Sequence, residues 1–213
     1  MRRSIFAVAL AVATIGASGL GSAALGPARA IELSHALSEM YALVAMPPPA
    51  NDRMIVCYAF GCKRRMILDF TDTDRKRLSD ILATGRASPE AERRALGQAV
   101  VWFDRRVGPI TGTSRRIAYA NGISSTAAYN FDCFDTTRNT ASLFLVLQDW
   151  ASLRHHVVGD PRYRGNIFLG QTPHNTAVVT ERASRRDWAV DLWPHAYAEP
   201  PDVMPVEQWL SSR

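Results

Sequence analysis

The stretch YNFDCFDTTRNTASLFLVL, residues 129–147, places a single cysteine, Cys133, just before a strongly apolar segment. Five consecutive apolar residues at 143–147 predict a helix over 134–150 that is buried on nearly all sides. Asp132 and Asp135 flank the thiol, and acids are poor neighbours for a cysteine that serves only as a small buried hydrophobe. The role of this thiol depends on the compartment in which the chain resides.

The N-terminal segment has the pattern of a secretory signal peptide. A charged start at residues 2–3 precedes an apolar run over 5–20, and small residues then lead to an A-x-A cleavage pattern at 28–30. A retained membrane anchor fits less well, because glycines interrupt the run and little apolar length follows them. We therefore expect residues 1–30 to be a signal peptide. The mature chain is expected to be periplasmic or secreted, with no stable membrane span.

The charge of the chain is close to balanced once the signal peptide is removed. The whole sequence has a formal net charge of +5, and Arg2, Arg3 and Arg29 leave with the signal peptide, so the mature chain has a charge of +2. This small charge is not the electrostatic pattern of a nucleic-acid-binding protein. We expect no nucleic-acid partner.

The three cysteines divide into a close pair and a remaining one. Cys57 and Cys62 lie in IVCYAFGCKRRMILDF, residues 55–70, where Gly61 can form a turn between two strands and bring the sulfurs together. Thiols tend to pair outside the cytoplasm, so this pair is a candidate disulfide whose formation depends on geometry. Cys133 is then an odd cysteine, which is typical of a free reactive thiol or an intermolecular bridge.

The order of the predicted elements is helices first and strands later. Residues 31–85 predict an N-terminal helix, a hairpin of strands 54–60 and 63–70, and a short helix capped by Thr71. Residues 86–213 are expected to form one compact domain together with residues 31–85. They begin with a predicted helix that opens at Ser88-Pro89 and ends at Gly108-Pro109. Four strand-like segments follow the buried helix, at 153–158, 166–169, 174–180 and 188–193, with a turn at Asp160-Pro161. This order predicts an α+β fold with an antiparallel sheet.

A cysteine at the start of a helix has the chemistry of a nucleophile. The helix N-terminus lowers a thiol pKa, and its unpaired N–H groups can form part of an oxyanion hole, for which Asn130 is the nearest further donor. Such a nucleophile also needs a histidine and a group that orients it. His174 opens one predicted strand, and Asp191 lies among apolar residues on the next. The simplest hairpin register leaves them a few residues apart, so their contact requires a bulge or an offset turn.

The order of these residues resembles the transglutaminase-like cysteine proteinase superfamily, and within it the bacterial periplasmic branch that trims surface adhesins. An acid and a cysteine begin the buried helix, a histidine begins a strand, and the pattern W-x-V-D-x-W follows on the next strand. The similar region spans about 90–193, roughly half of the chain. The resemblance implies a papain/transglutaminase-like fold. It also implies Cys133 as nucleophile, His174 as general base and acid, and Asp191 as orienting carboxylate.

Phe134 departs from the family pattern next to the nucleophile. The bacterial branch usually has Asp-Cys-Glu-Asp there, with flanking acids that are linked to calcium, whereas this chain has DCFD at 132–135. The loss of this acid argues against calcium, and we expect no cofactor. Zinc is not expected either, because Cys133, His174 and His195 lack the short spacings of a zinc site.

The resemblance implies an acyl-transfer enzyme that acts on a protein or peptide substrate in the cell envelope. Hydrolysis of a thioester intermediate gives a peptidase or amidase, whereas attack by an amine gives a transglutaminase, and the same residues serve both reactions. Two alternatives without catalysis stay open. One is a degenerate member of the fold that binds an envelope protein, and the other is a structural protein stabilised by the Cys57–Cys62 bridge.

Overall fold

The computed structural model of the protein describes residues 31–166, 168 and 170–212, and the predicted signal peptide lies outside these residues. The helices and strands, in chain order, are α1 His35–Ala42, β1 Arg53–Tyr58, β2 Arg64–Asp69, α2 Asp72–Ala83, α3 Pro89–Thr111, α4 Cys133–Asp149, β3 His156–Arg164, β4 His174–Glu181, β5 Asp187–Asp191, β6 Asp202–Pro205 and α5 Val206–Ser211. None of the described helices is long and apolar enough to cross a bilayer.

The second half of the chain forms a four-stranded antiparallel sheet in the order β3-β4-β5-β6. Successive side chains of each strand point to opposite faces of this sheet. One face packs Val179 and Val190 against the apolar residues of α3 and α4. The other face packs Val178 and Ala189 against Trp209 of α5. The prediction of an α+β fold with an antiparallel sheet is confirmed.

Helix α4 occupies the centre of the fold, and every residue from 135 to 147 is buried. Its apolar end packs in the main core with α3 and the sheet. Its polar half contacts the N-terminal elements instead. The Asn139 side chain accepts a hydrogen bond from the Cys57 N–H and donates one to the Cys57 carbonyl, both at 2.8 Å. The Tyr41 hydroxyl and the Ser142 hydroxyl share a hydrogen bond of 2.8 Å. Polar contacts therefore attach α1 and the β1–β2 hairpin to α4.

A left-handed turn joins β1 to β2. Four consecutive residues, Ala59, Phe60, Gly61 and Cys62, have φ angles between 60° and 67°. A disulfide between Cys57 and Cys62 closes this turn, which confirms the predicted bridge. Left-handed backbone is unfavourable for residues that carry a Cβ, so the turn needs support from outside, which the N-terminus of α4 provides.

Helix α3 continues past the predicted stop at Gly108-Pro109 and ends at Thr111. A residue before proline is normally pushed out of the helical region by a clash with the proline ring, and Gly108 has no Cβ to make part of that clash. The helix ends three residues later, where Gly112 adopts a φ of 78°.

Two further local predictions are wrong. Asp160-Pro161 is not a turn but lies inside β3, at a register shift between Gly159 and Arg162. Strand β3 is at the edge of the sheet, and an edge bulge tolerates the missing proline N–H. The predicted strand at 166–169 is not observed either, because Asn166 and Phe168 lie outside the strands and positions 167 and 169 are outside the described residues.

Replacement of Asn139 by leucine tests the attachment of the hairpin to α4. We expect Asn139→Leu to lower the free energy of unfolding by about 3 kcal/mol, because it leaves the N–H and the carbonyl of Cys57 buried without a side-chain partner. Urea unfolding measures this change. Gln98→Leu, at an exposed position of α3, is the control and should lie within about 0.5 kcal/mol of the wild type. Equal losses in the two variants would contradict the role assigned to Asn139.

Candidate active site at the N-terminus of helix α4

His174 and Asp191 form a buried hydrogen-bonded pair on adjacent strands. His174 is the first residue of β4 and Asp191 is the last of β5, and His174 Nε2 lies 2.6 Å from Asp191 Oδ2. The strands pair in a regular register with Ala177 opposite Val190. This register places Asp191 diagonally across from His174 on the same face of the sheet. The bulge that the sequence analysis required is therefore not needed.

Two tryptophans hold Asp191 as a hydrogen-bond acceptor. The Trp209 indole N–H donates to Oδ2 at 2.7 Å, and the Trp193 backbone N–H donates to Oδ1 at 3.3 Å. Both indole rings also pack against His174, with centroids 4.6 Å away for Trp193 and 5.3 Å away for Trp209. These contacts fix the orientation of the carboxylate and of the imidazole. Trp209 was not among the residues predicted from the sequence, because no helix was predicted over 206–211.

The pair determines which nitrogen of His174 can act as a base. A carboxylate only accepts hydrogen bonds, so Nε2 must carry the proton that it donates to Asp191. The neutral ring then has its lone pair at Nδ1, which is buried and has no hydrogen-bond partner among the described residues. A buried acceptor without a partner is uncommon and is consistent with a group that receives a proton during function.

Cys133 is the first residue of α4 and is only 7% exposed. The backbone N–H of Asn175, the residue that follows His174, lies near enough to the sulfur to lower the thiol pKa. Helix α4 and strand β4 therefore bring the thiol to the backbone beside the His174–Asp191 pair. Within the described structure, no hydrogen bond joins the sulfur to Nδ1 of His174.

The pKa of the Cys133 thiol is raised to about 11. Burial is the largest cause, and the carboxylates of Asp132 and Asp191 raise the pKa further, whereas the N–H groups of Asn175 and Cys133 lower it. The expectation that this thiol has a lowered pKa is therefore wrong. Loss of water and two negative charges outweigh the helix end, and the resting thiol is protonated at neutral pH.

The N-terminus of α4 offers donors for an oxyanion. The first hydrogen bond along the helix runs from the Thr136 N–H to the Asp132 carbonyl, so the N–H groups of Cys133 and Phe134 precede it. The Asn130 side chain binds a neighbouring loop, because its Oδ1 accepts from the Ile117 N–H at 3.2 Å. The assignment of Asn130 to the oxyanion hole stays a prediction.

The two acids beside Cys133 support the disulfide turn. Asp135 accepts hydrogen bonds from the N–H groups of Phe60 and Cys62 at 2.9 and 2.7 Å. Asp132 accepts from the Gly61 N–H at 2.7 Å and caps α4 by accepting from the Asp135 N–H at 2.7 Å. Burial, and next the Asp132 carboxylate, raise the pKa of Asp135 to about 7. The described residues contain no group of three or more ligating side chains that could hold a metal ion.

A cleft of about 760 Å³ opens beside His174. Tyr119 and Trp193 form one part of its wall, and the last residues of α5, with Leu210 among them, form another. Tyr119 and Leu210 are 59% and 47% exposed, so the cleft presents apolar surface to solvent. His174 lines this cleft, whereas Cys133 does not.

No family model, curated protein or solved structure matches this chain. The interpretation of the site therefore depends on its geometry: a histidine–carboxylate pair, a histidine nitrogen without a partner among the described residues, and a buried thiol at a helix N-terminus.

Replacement of Asp135 by asparagine tests its raised pKa. The folded protein binds the proton of the Asp135 carboxyl group more tightly than the unfolded chain does. The contribution of Asp135 to stability is therefore largest below about pH 4 and is lost as the pH rises through about 7. We expect the difference in unfolding free energy, wild type minus Asp135→Asn, to fall over this range. Urea unfolding across the range measures it. Asp149→Asn, at the exposed end of α4, should give a much flatter difference. A flat difference for Asp135→Asn would disprove the shift.

Alkylation tests the protonation of Cys133. Only the thiolate reacts, so with a pKa of about 11 the labelling rate with iodoacetamide should rise about tenfold per pH unit from about pH 7 to about pH 10. Mass spectrometry identifies the labelled peptide. Asp132→Asn should increase the rate at neutral pH, because it removes one carboxylate that raises the thiol pKa. A plateau of fast labelling below neutral pH would show that Cys133 is a thiolate and would contradict the raised pKa.

Proposed function

We propose that the mature chain is an exported cysteine peptidase or amidase with a papain/transglutaminase-like core. Its catalytic residues are Cys133, His174 and Asp191. The observation that carries the proposal is the His174–Asp191 hydrogen bond of 2.6 Å, which leaves a buried basic nitrogen without a described partner. The backbone N–H of Asn175, next to that histidine, lies near the Cys133 sulfur and lowers its pKa. A thiol, a base and a group that orients the base are the components that nucleophilic catalysis requires.

In the first half-reaction, the Cys133 sulfur attacks the carbonyl carbon of an amide. The Cys133 thiol begins protonated, because its pKa is about 11, so Nδ1 of His174 takes the thiol proton as the carbon–sulfur bond forms. The N–H groups of Cys133 and Phe134 bind the resulting oxyanion. Asp191 stabilises the imidazolium, which then protonates the leaving amine as the carbon–nitrogen bond breaks.

In the second half-reaction, the thioester is released. Water attacks the thioester carbon, and Nδ1 of His174 takes a proton from that water. The carbon–sulfur bond then breaks and the proton returns to the sulfur, so a carboxylic acid leaves and the Cys133 thiol is restored. If an amine attacks in place of water, the product is a new amide and the reaction is that of a transglutaminase. The proposed mechanism needs no cofactor, because the side chains of Cys133 and His174 account for every proton that the protein transfers.

A protein or peptide of the cell envelope is the proposed substrate. The cleft beside His174, at about 760 Å³, is large enough to hold several side chains. Exposed apolar groups such as Tyr119 and Leu210 at its wall suit a polypeptide better than a small polar metabolite. The N-terminal signal pattern and the Cys57–Cys62 disulfide support a periplasmic or secreted location.

A non-catalytic binding domain is the second candidate, and the raised pKa of Cys133 favours it. The thiol is buried and protonated, and it makes no hydrogen bond to His174 in the described structure. In this candidate, the cleft binds an envelope protein without bond cleavage. The His174–Asp191 pair then serves only to connect β4, β5 and α5.

Acylation by 4-nitrophenyl acetate separates the two candidates. If the protein is an enzyme, we expect Cys133 to become acetylated, with release of nitrophenolate and with the acetyl group located by mass spectrometry. His174→Ala should slow acylation by about 100-fold or more, because it removes the general base. His35→Ala, which changes an exposed histidine of α1, is the matched control and should react like the wild type. Equal rates in folded His174→Ala and wild type would sink the enzyme proposal and favour the binding domain.

A further inference from the structure

A second groove, with a volume of about 1090 Å³, lies between α2, α3 and the β5–β6 side of the sheet. None of the residues that line it belongs to the candidate active site or to the cleft beside His174. Its lining has two chemical components. One is a set of arginines, and the other is an apolar and aromatic surface that includes Ile81, Val101, Trp102, Trp188, Pro201 and Val203. We call this feature the arginine groove.

The arginine groove carries positive charge that the described structure does not neutralise. Its single acid, Glu90, pairs with Arg94 at 2.6 Å, and Arg93 pairs with Glu181 at 2.9 Å. Arg77 and Arg105 also line the groove and are exposed, but neither forms a salt bridge with any residue in the described ranges. Two guanidinium groups are therefore free to bind an anion from outside.

The packing of α2 against α3 places these two arginines at the same end of the groove. The helices run antiparallel. Near the start of α2, Asp74 accepts a hydrogen bond of 3.1 Å from Arg106 of α3, and just after the end of α2, Gly85 packs against Glu92 of α3. Arg77 is one turn after Asp74 and therefore lies near the Arg105 end of α3. A guanidinium presents a planar fork of donors that matches a carboxylate, and two such groups at one end favour acidic ligands.

The remaining surface of the arginine groove suits apolar side chains. Trp102 is only partly buried, although it packs against the core, so part of its ring is open to the groove. Trp188 lies under the Arg93 guanidinium, whose central carbon is 3.5 Å from the ring centroid. Prolines 200 and 201 complete the wall. A ligand that fills the groove must therefore combine negative charge with apolar groups.

We propose that the arginine groove binds an acidic, apolar-containing segment of a partner polypeptide. Arg94 and Arg105 are eleven residues apart on α3, about 16 Å along its axis, with Val101 and Trp102 between them. That length matches an extended segment of about five residues with acids at its ends and apolar residues in its centre. The exposed pair of Arg94 with Glu90 is weak and does not prevent this use. Arg94 lies at the opposite end of the groove from Arg77 and Arg105, so the positive charge is spread along it, and a lipid headgroup with its charge at one point fits less well. The site does not depend on catalysis by Cys133.

Binding of a labelled peptide tests the proposal. The probe is fluorescein-labelled Glu-Asp-Leu-Pro-Leu-Asp-Glu, measured by fluorescence anisotropy with the folded mature chain at low ionic strength. Its matched control peptide has Gln and Asn in place of the acids. We expect saturable binding of the acidic peptide that weakens as salt is added. The Arg77→Gln/Arg105→Gln variant should bind at least about tenfold more weakly, because it loses charge-assisted hydrogen bonds. The variant Lys63→Gln/Arg64→Gln removes two exposed charges from the hairpin and should bind like the wild type.

Three outcomes would overturn the proposal. One is equal binding of the acidic and the neutral peptide, and another is equal affinity of the wild type and the groove variant. The third is no peptide binding together with binding to phosphatidylglycerol vesicles that the groove variant loses, which would identify an anionic lipid site. Because the assay does not involve Cys133, its failure leaves the proposed peptidase activity unaffected, and failure of that activity leaves this site unaffected.

Discussion

The fold depends on the burial of α4 along almost its whole length. A helix that is enclosed on all sides needs partners for its polar side chains, because a buried polar group without a hydrogen bond is costly. The N-terminal segment provides most of these partners. Asn139 forms hydrogen bonds with the hairpin backbone, and Arg138 donates one to the Met40 carbonyl at 3.2 Å. Asp135 accepts hydrogen bonds from two N–H groups of the disulfide turn. Residues 31–85 therefore support the helix end that carries Cys133.

The same burial determines the chemistry of Cys133. Asp132 caps α4 and supports the left-handed turn, but its charge also raises the thiol pKa. Asp191 orients His174, and its charge likewise raises the pKa of the Cys133 thiol. The groups that build the site thus oppose a resting thiolate. Any nucleophile here must lose its proton to a neighbouring base during attack, and Nδ1 of His174 is a buried candidate without a described partner.

Features with a local sequence pattern were predicted well, and features that depend on tertiary contacts were not. The apolar run at 143–147 predicted both ends of α4 to within one residue. The close spacing of Cys57 and Cys62 around Gly61 indicated the disulfide. The hairpin register of His174 and Asp191 was misjudged, because the length of the connecting loop cannot be read from composition. The Trp209 contact has no sequence pattern, since it crosses from the C-terminal helix to a strand end. The thiol pKa was assigned the wrong direction because burial is a property of packing.

The central position of α4 also has a consequence for the order of assembly. The disulfide joins cysteines only five positions apart, so the hairpin turn can close locally. The hydrogen bonds that join the N-terminal segment to α4 span 75 residues for Phe60–Asp135, 82 for Cys57–Asn139 and 101 for Tyr41–Ser142. Contacts of such long range slow folding, because long loops must close before any of them forms. The N-terminal part of the mature chain therefore reaches its native environment late, because it depends on a helix that lies far along the sequence.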